Sequence, residues 1–520
     1  MSWRDFATAV AATGFAALAG CSLAPVYRVP DTPAPASAFN ETPDWKAAAP
    51  ADASVRGPWW GVFQDPELDA LEAQVTDANQ DLKAAFARLQ QARAQTRAAR
   101  SAYFPVVTAG PDVARTRASV NSYRYVSTKP STYNDFLFQA NASYEVDLWG
   151  RIRNTVEAAR ASEQASAGDL AVLDLTVRSE LAVDYFTLRN LDAQQQLLER
   201  TVVDYERALQ LTRNLYEGGA GVISDVQQAQ AQLETARTQA EDTRLRRAQA
   251  EHAIAILIGR PATGFHMQAN ALPQELEPPP LDPGLPSALL ERRPDVAAAE
   301  RRVASANATI GVARAAYFPV FSLTAAGGFE SVNASNWIEA PSRWWALGPV
   351  GLAQTVFDGG LRRAQTDAAR AAYDEQVASY RSTVLAAYQE VEDDLASLRY
   401  LAQESTSEHA AVIAAQGAQQ QAEYRYKGGA ATYLEVVSTE NAALAAQLSA
   451  ADIQLRRMSA AVLLVKALGG GWKSGADTAW SAPPSGAAGA PAAPASIASG
   501  SCGACIELAR LWSLAGPYRD

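Results

Sequence analysis

Histidine and cysteine each occur only three times in the 520 residues. His252, His266 and His409 stand too far apart to suggest a metal site by spacing. Charge is also sparse: 19% of residues carry it, with 56 Asp and Glu against 45 Lys and Arg. No clustered basic face is available to neutralise phosphates, which excludes nucleic acid as a partner. The net charge of -11 describes an acidic surface that would bias a pore toward cations. The densest carboxylate group, Glu390-Val391-Glu392-Asp393-Asp394, has no Ser, His or Cys in sequence reach and reads as a solvated helix face. The glycine pairs follow no strand-to-helix phosphate pattern. No catalysis and no metal are expected, and any energy must come from a partner.

Abundant Ala and Gln suit long, closely packed helices. At the N-terminus, Arg4 precedes the apolar run Phe6 to Leu18, which is too short to span a bilayer and fits a secretory signal over 1–20. Leu18-Ala19-Gly20-Cys21 then resembles the bacterial lipobox, in which the thiol is acylated and becomes the new N-terminus. The expectation is a covalent lipid on Cys21 as the sole non-protein group, held in a membrane by buried methylenes at about 0.8 kcal/mol each. The plain alternative is a chance buried cysteine. No Asp follows Cys21, and by lipoprotein sorting rules that favours the outer membrane. Cys502 and Cys505 lack two further zinc ligands and follow the Ala/Pro/Ser/Gly run 482–501, so they read as a tail disulfide or inert thiols.

Along the chain, 21–64 is a Pro- and Ala-rich leader. A first pattern occupies 65–275: a helix from Asp65-Pro66 to about Ser101, an extended stretch to Arg117, a strand over 136–148, a helix from Arg151 to Tyr216, and another from Asp225 to Ile258. A Pro-rich linker covers 276–286. Over 287–470 the pattern returns, with a helix from Pro294 to Ala316, strands over 320–329 and 347–357, and helices from Gly360 to Tyr426 and from Tyr433 to Leu468. Tyr103 and Tyr317 of the two Tyr-Phe-Pro elements lie 214 residues apart, and Gly218 and Gly428 lie 210 apart, so the duplication is nearly in register. The tail, 471–520, reads as flexible.

The strand over 136–148 alternates strictly. Phe136, Phe138, Ala140, Ala142, Tyr144, Val146 and Leu148 share one face, while Leu137, Gln139, Asn141, Ser143, Glu145 and Asp147 lie on the other, which is mostly polar and acidic. A soluble sheet alternates too, but about ten such residues ending in carboxylates is what a membrane barrel strand needs. Four strands per chain cannot close a barrel, and an open edge in lipid leaves backbone groups unpaired at several kcal/mol each. Two copies would fill their interior with side chains, so an export path needs at least three.

Four spaced motifs then carry a resemblance: Trp59-Trp60…Phe63…Asp65-Pro66…Leu68; Tyr144-Glu145-Val146-Asp147-Leu148-Trp149-Gly150-Arg151-Ile152-Arg153; Leu289-Leu290-Glu291-Arg292-Arg293-Pro294-Asp295-Val296; and Phe357-Asp358-Gly359-Gly360. Together they resemble the TolC-like outer membrane factors, in the lipoprotein branch serving resistance-nodulation-division efflux systems, over roughly residues 15 to 470. The resemblance implies an α+β membrane protein: a homotrimer whose twelve-stranded β-barrel in outer-membrane lipid continues into a twelve-helix periplasmic α-barrel. It also implies a periplasmic adaptor (membrane fusion) protein and an inner-membrane resistance-nodulation-division pump as partners.

By the same resemblance the periplasmic gate falls on Tyr216 and Asp225 in the first repeat and on Tyr426, Leu434, Glu435 and Ser438 in the second. Converging copies would form an acidic ring that repels anions and holds cations. Equally, Asp225 and Glu435 are first-turn helix residues favoured by the dipole. The sequence departs from the pattern at Ser438, where related channels often carry Asp, which leaves a second acidic ring without support. The expected function is passive conduction of small molecules in a tripartite efflux system. A type I protein secretion duct and a periplasmic coiled-coil adaptor outside the membrane are the alternatives.

Overall fold

The computed structural model describes residues 22–32, 39, 41, 58–117, 119, 132–273, 276–281 and 292–470. The signal segment, Cys21, the last five residues of the Pro-rich linker, Leu289 to Glu291, and the tail with Cys502 and Cys505 lie outside the described residues.

Asp65 opens α1 (Pro66–Ala78) by accepting the N–H groups of Glu67 and Leu68, with Pro66 in the first turn. The apolar period predicts one helix from here to Ser101. The chain instead turns extended at Asn79, then resumes as α2 (Gln80–Ser101). Asn79 is buried; its side chain accepts the Leu82 N–H at 3.0 Å and donates to the Leu257 carbonyl at 2.9 Å. A distant helix end therefore holds the break, and periodicity runs straight through it.

Two long hairpins follow. α3 (Arg151–Glu217) turns into α4 (Ile223–Leu257), and α6 (Leu361–Lys427) turns into α7 (Tyr433–Ala467). The partners have the same lengths, 67 and 35 residues. At about 1.5 Å per residue the longer helix of each pair reaches roughly 100 Å. α5 (Pro294–Ala315) packs against both α3 and α6. Small residues let the helices approach: a Cβ on Gly168 of α3 would lie 2.8 Å from the Ala298 Cβ of α5. Arg293, buried before α5, donates to the Ala467 carbonyl at 2.9 Å and pairs with Asp295 and Glu390, each at 2.7 Å. It staples the start of α5 to α6 and α7. The carboxylate run on α6 is accordingly less solvated than its composition suggests: Glu390 is engaged, and burial with Glu390 and Asp393 nearby pushes Asp394 up to about 7.

One antiparallel sheet contains β1 (Val106–Arg117), β2 (Thr132–Val146), β3 (Val320–Ser331), β4 (Arg343–Leu347) and β5 (Gly351–Ala353). The order is β1-β2-β3-β4, with β5 also on β3. Cross-strand partners on the aromatic face include Phe138 with Phe329 and Tyr144 with Leu323. The last strand differs from the continuous 347–357 expected. It starts earlier and is divided, because Gly348 turns to positive φ and Pro349 has no N–H to offer a ladder. Among the described residues of one chain, β1 on one side and β4 with β5 on the other remain sheet edges. Among the described residues no helix is long and apolar enough to cross a membrane.

The main core joins α1, α2, α3, the end of α4, α5, α6 and α7 around fully buried Leu68, Leu82, Leu89, Leu181, Ile254 and Leu395. The leader is tied along it. Ser22 donates to Asn154 at 3.0 Å, the Pro25 carbonyl accepts from Asn307 at 2.9 Å, and Phe39 enters the core. Where strands meet helices, Trp149 stacks on Phe318 at 4.7 Å and donates to the Pro319 carbonyl, joining the two halves. Asp147 accepts the Ile152 and Arg153 N–H groups, and Asp358 accepts those of Gly360 and Arg362. Both carboxylates thus anchor the N-terminus of a 67-residue helix.

Candidate functional site at the hairpin tips

Each hairpin turns in five residues, 218–222 and 428–432. Gly219 and Gly429 sit at φ 73 and 70, a conformation that only glycine adopts without a steric cost. The following Ala220 and Ala430 N–H groups reach back to the Leu215 and Arg425 carbonyls, each at 2.8 Å. The two turns therefore share one hydrogen-bonding plan.

A second buried cluster holds the tips together within one chain. It combines Tyr205 and Leu209 of α3, Leu233 of α4, Ala422 of α6, and Tyr433, Val436 and Val437 of α7. Gln232 bridges the hairpins by donating to Asn441 and to the Tyr205 hydroxyl. All six expected gate residues lie at this end, in different settings. Tyr426 packs against Tyr433 with ring centroids 5.5 Å apart and the planes tilted by 56°. Asp225, in the first turn of α4, is near enough to both rings for its charge to act on them; burial first, then Asp225, raises the Tyr426 hydroxyl above its ordinary range. Leu434 is 62% exposed, and Tyr216 and Ser438 are exposed as well.

Glu435 forms an ion pair with Arg425 across the turn, and Arg425 also donates to the Ala430 carbonyl at 3.2 Å. Its backbone N–H is capped by Thr432. The charge of Glu435 is thus compensated inside its own hairpin, whereas Asp225 keeps its field directed at the tyrosines. Sequence reasoning missed Arg425, Tyr433 and Glu440. Arg425 and Glu435 stand ten positions apart, and only the reversal at Gly428-Gly429 brings them together.

Beside the cluster lies a cavity of about 320 Å³, lined in part by Asp204, Arg207, Glu423, Tyr426, Tyr433 and Glu440. Asp204 pairs with Arg207 at 3.0 Å, and Glu423 with Lys427 at 3.7 Å. Glu440 is 8% exposed, and its Oε2 is buried without a hydrogen-bond partner among the described residues. Burial, reinforced by Glu423 and Asp204, pushes its carboxyl up to about 7. No three His, Cys, Asp or Glu side chains gather to hold a metal ion among the described residues.

The description "Outer membrane efflux protein" matches residues 72–260 and 285–470, both hairpins included. The chain belongs to this family. As an outer membrane efflux protein it is a channel component of efflux pumps. It is similar to the pyoverdine export outer membrane protein OpmQ of Pseudomonas aeruginosa, at 33% identity over 85% of this chain and 94% of that protein. Among solved structures it resembles the outer-membrane channel OprN, at 31% identity and TM-score 0.78, covering 87% of this chain and all of that one. The open state of the MtrE outer membrane channel of Neisseria gonorrhoeae is similar at 27% identity and TM-score 0.76, over 87% of this chain and 99% of that one.

Proposed function

We propose that three copies of this efflux protein close into one tube, a twelve-stranded barrel in the outer membrane continued by twelve helices in the periplasm. The open sheet carries this reading. Its two edges need neighbours in lipid, because each backbone group left unpaired there costs several kcal/mol. Closure by copies of the same chain supplies them symmetrically. The tube conducts passively; a periplasmic adaptor and an inner-membrane resistance-nodulation-division pump supply selection and energy. Small molecules are the cargo, and the family match favours that over protein secretion.

Lipidation at Cys21 anchors the leader in the outer membrane, and the gate lies at the hairpin tips. Tyr426 and Asp225 provide the constriction, with the Glu435–Arg425 pair holding the second turn in shape. Reconstitution in planar bilayers tests this. Tyr426→Ala and Glu435→Ala are each expected to raise single-channel conductance above wild type; unchanged conductance in both removes the gate from these residues. Cys21→Ser is expected to abolish incorporation of radiolabelled palmitate, and persistent labelling would place the acyl group elsewhere.

A further inference from the structure

We propose that the cavity between the tips of α3, α6 and α7 is a binding site for a small organic cation, an ammonium or guanidinium group held on Glu440. The site goes beyond the gate assignment: it shares Tyr426 with the gate, but its anchoring carboxylate, Glu440, is no part of it. Three observations converge on it.

The first is a charge imbalance. Of the three carboxylates lining the cavity, Asp204 and Glu423 each have a base of their own, Arg207 and Lys427. Glu440 has none among the described residues, although it is the most deeply buried of the three, and its Oε2 is the atom left without a donor there. A buried acceptor without a donor is costly, and a carboxylate buried without a counter-charge more so. A ligand that brings a positive N–H group relieves both at once.

The second is the wall. Tyr426 and Tyr433 line the same cavity with paired rings, and aromatic faces attract organic cations. The remaining titratable neighbours are Tyr205 on α3, buried and already bonded to Gln232, and Asp225 on α4. Neither supplies a cation. The third is size and chemistry. At about 30 Å³ per water molecule, the cavity has room for roughly ten waters or one small amine. Too few ligands converge for a bare metal ion, since no metal-holding group of three forms among the described residues. A hydrogen-bonding organic cation asks only for one carboxylate and an aromatic wall.

Occupancy should depend on pH through Glu440 itself. Its carboxyl, pushed up to about 7, is ionised in mildly alkaline buffer and neutral in mildly acidic buffer. Binding is therefore strong in the first and weak in the second.

The test is isothermal titration calorimetry of the full-length trimer in lipid nanodiscs with benzylamine, and with neutral benzyl alcohol as control. At about pH 8 we expect saturable heat with benzylamine and none with benzyl alcohol, falling at least about tenfold in affinity at about pH 5.5. Glu440→Gln should weaken binding by at least about tenfold at pH 8. Ala208→Phe, which fills the cavity while leaving Glu440 in place, should do the same and guards against a folding defect in the first variant. Heat-modifiable migration checks that each variant still assembles. The proposal is overturned by no saturable heat in wild type, by equal affinity in Glu440→Gln, or by equal binding of benzyl alcohol. Because the readout is heat of binding, a negative result leaves the conductance test of the gate standing.

Discussion

Asn79, Gly328 and Glu440 each show how one side chain, or its absence, is fixed by neighbours far away in the chain. Asn79 uses both ends of its amide, one toward Leu82 and one toward Leu257. Replacement by alanine leaves a helix N-terminus uncapped and a buried carbonyl unpaired, and should cost about 2 kcal/mol. Chemical denaturation followed by circular dichroism would measure it. Gly328 lies where β3 crosses β2 so closely that a Cβ would collide with the Phe138 carbonyl. Gly328→Ala should therefore disrupt the ladder and abolish the oligomer that unheated protein forms in semi-native electrophoresis. Glu440 acts through its proton. Its folded-state carboxyl titrates near 7, above the ordinary 4.5, so the folded form holds the proton more tightly than the unfolded one. Its stabilising contribution is complete below about 4.5 and is lost as pH rises toward about 7. In Glu440→Gln that part of the pH dependence should vanish, read as a flatter melting temperature across this window.

Among the elements, the hairpins and the short helices are built by different forces. The 67-residue helices start on carboxylates, Asp147 and Asp358, and stop at glycines, signals that stand in the sequence next to the boundary they cause. Their limits were legible from the glycines, Gly150, Gly218, Gly360 and Gly428, while the carboxylate caps emerged only with the structure. The break at Asn79 was not, because its cause lies 178 residues away at Leu257. The divided last strand was half legible: Gly348-Pro349 stands in the sequence, but alternation alone suggested one continuous strand. Arg293 shows the same contrast. Its motif was visible, yet its task, holding α5 to Glu390 and to the end of α7, is tertiary. Arg293→Ala removes a buried donor from three partners, one of them half exposed, and should destabilise the protein by about 2 kcal/mol. Denaturant titration of the assembled protein would show whether the midpoint moves with unchanged slope.

At the scale of the whole molecule, a single chain presents an incomplete surface: a sheet with two edges and hairpins whose tips pack against each other in pairs. If three copies complete it, unheated protein should migrate near three times the 55.3 kDa chain mass and collapse to one on heating. The candidate gate was legible only in part. The glycine turns located it, and Tyr426 and Asp225 proved to be neighbours across the two hairpins. Glu435 turned out to be paired with Arg425 in its own turn, so its charge serves the loop before it can serve the lumen.

Local chemistry determined the long helices and the glycine turns that join them, because glycine breaks and apolar period act within a few residues of where they are written. Tertiary structure alone decided which charges are neutralised and which are stranded. Glu435 and Glu440 stand five positions apart on one helix; among the described residues the fold gives the first an arginine and buries the second without one. Burial and pairing depend on what other segments bring to the same place, and no local pattern encodes that.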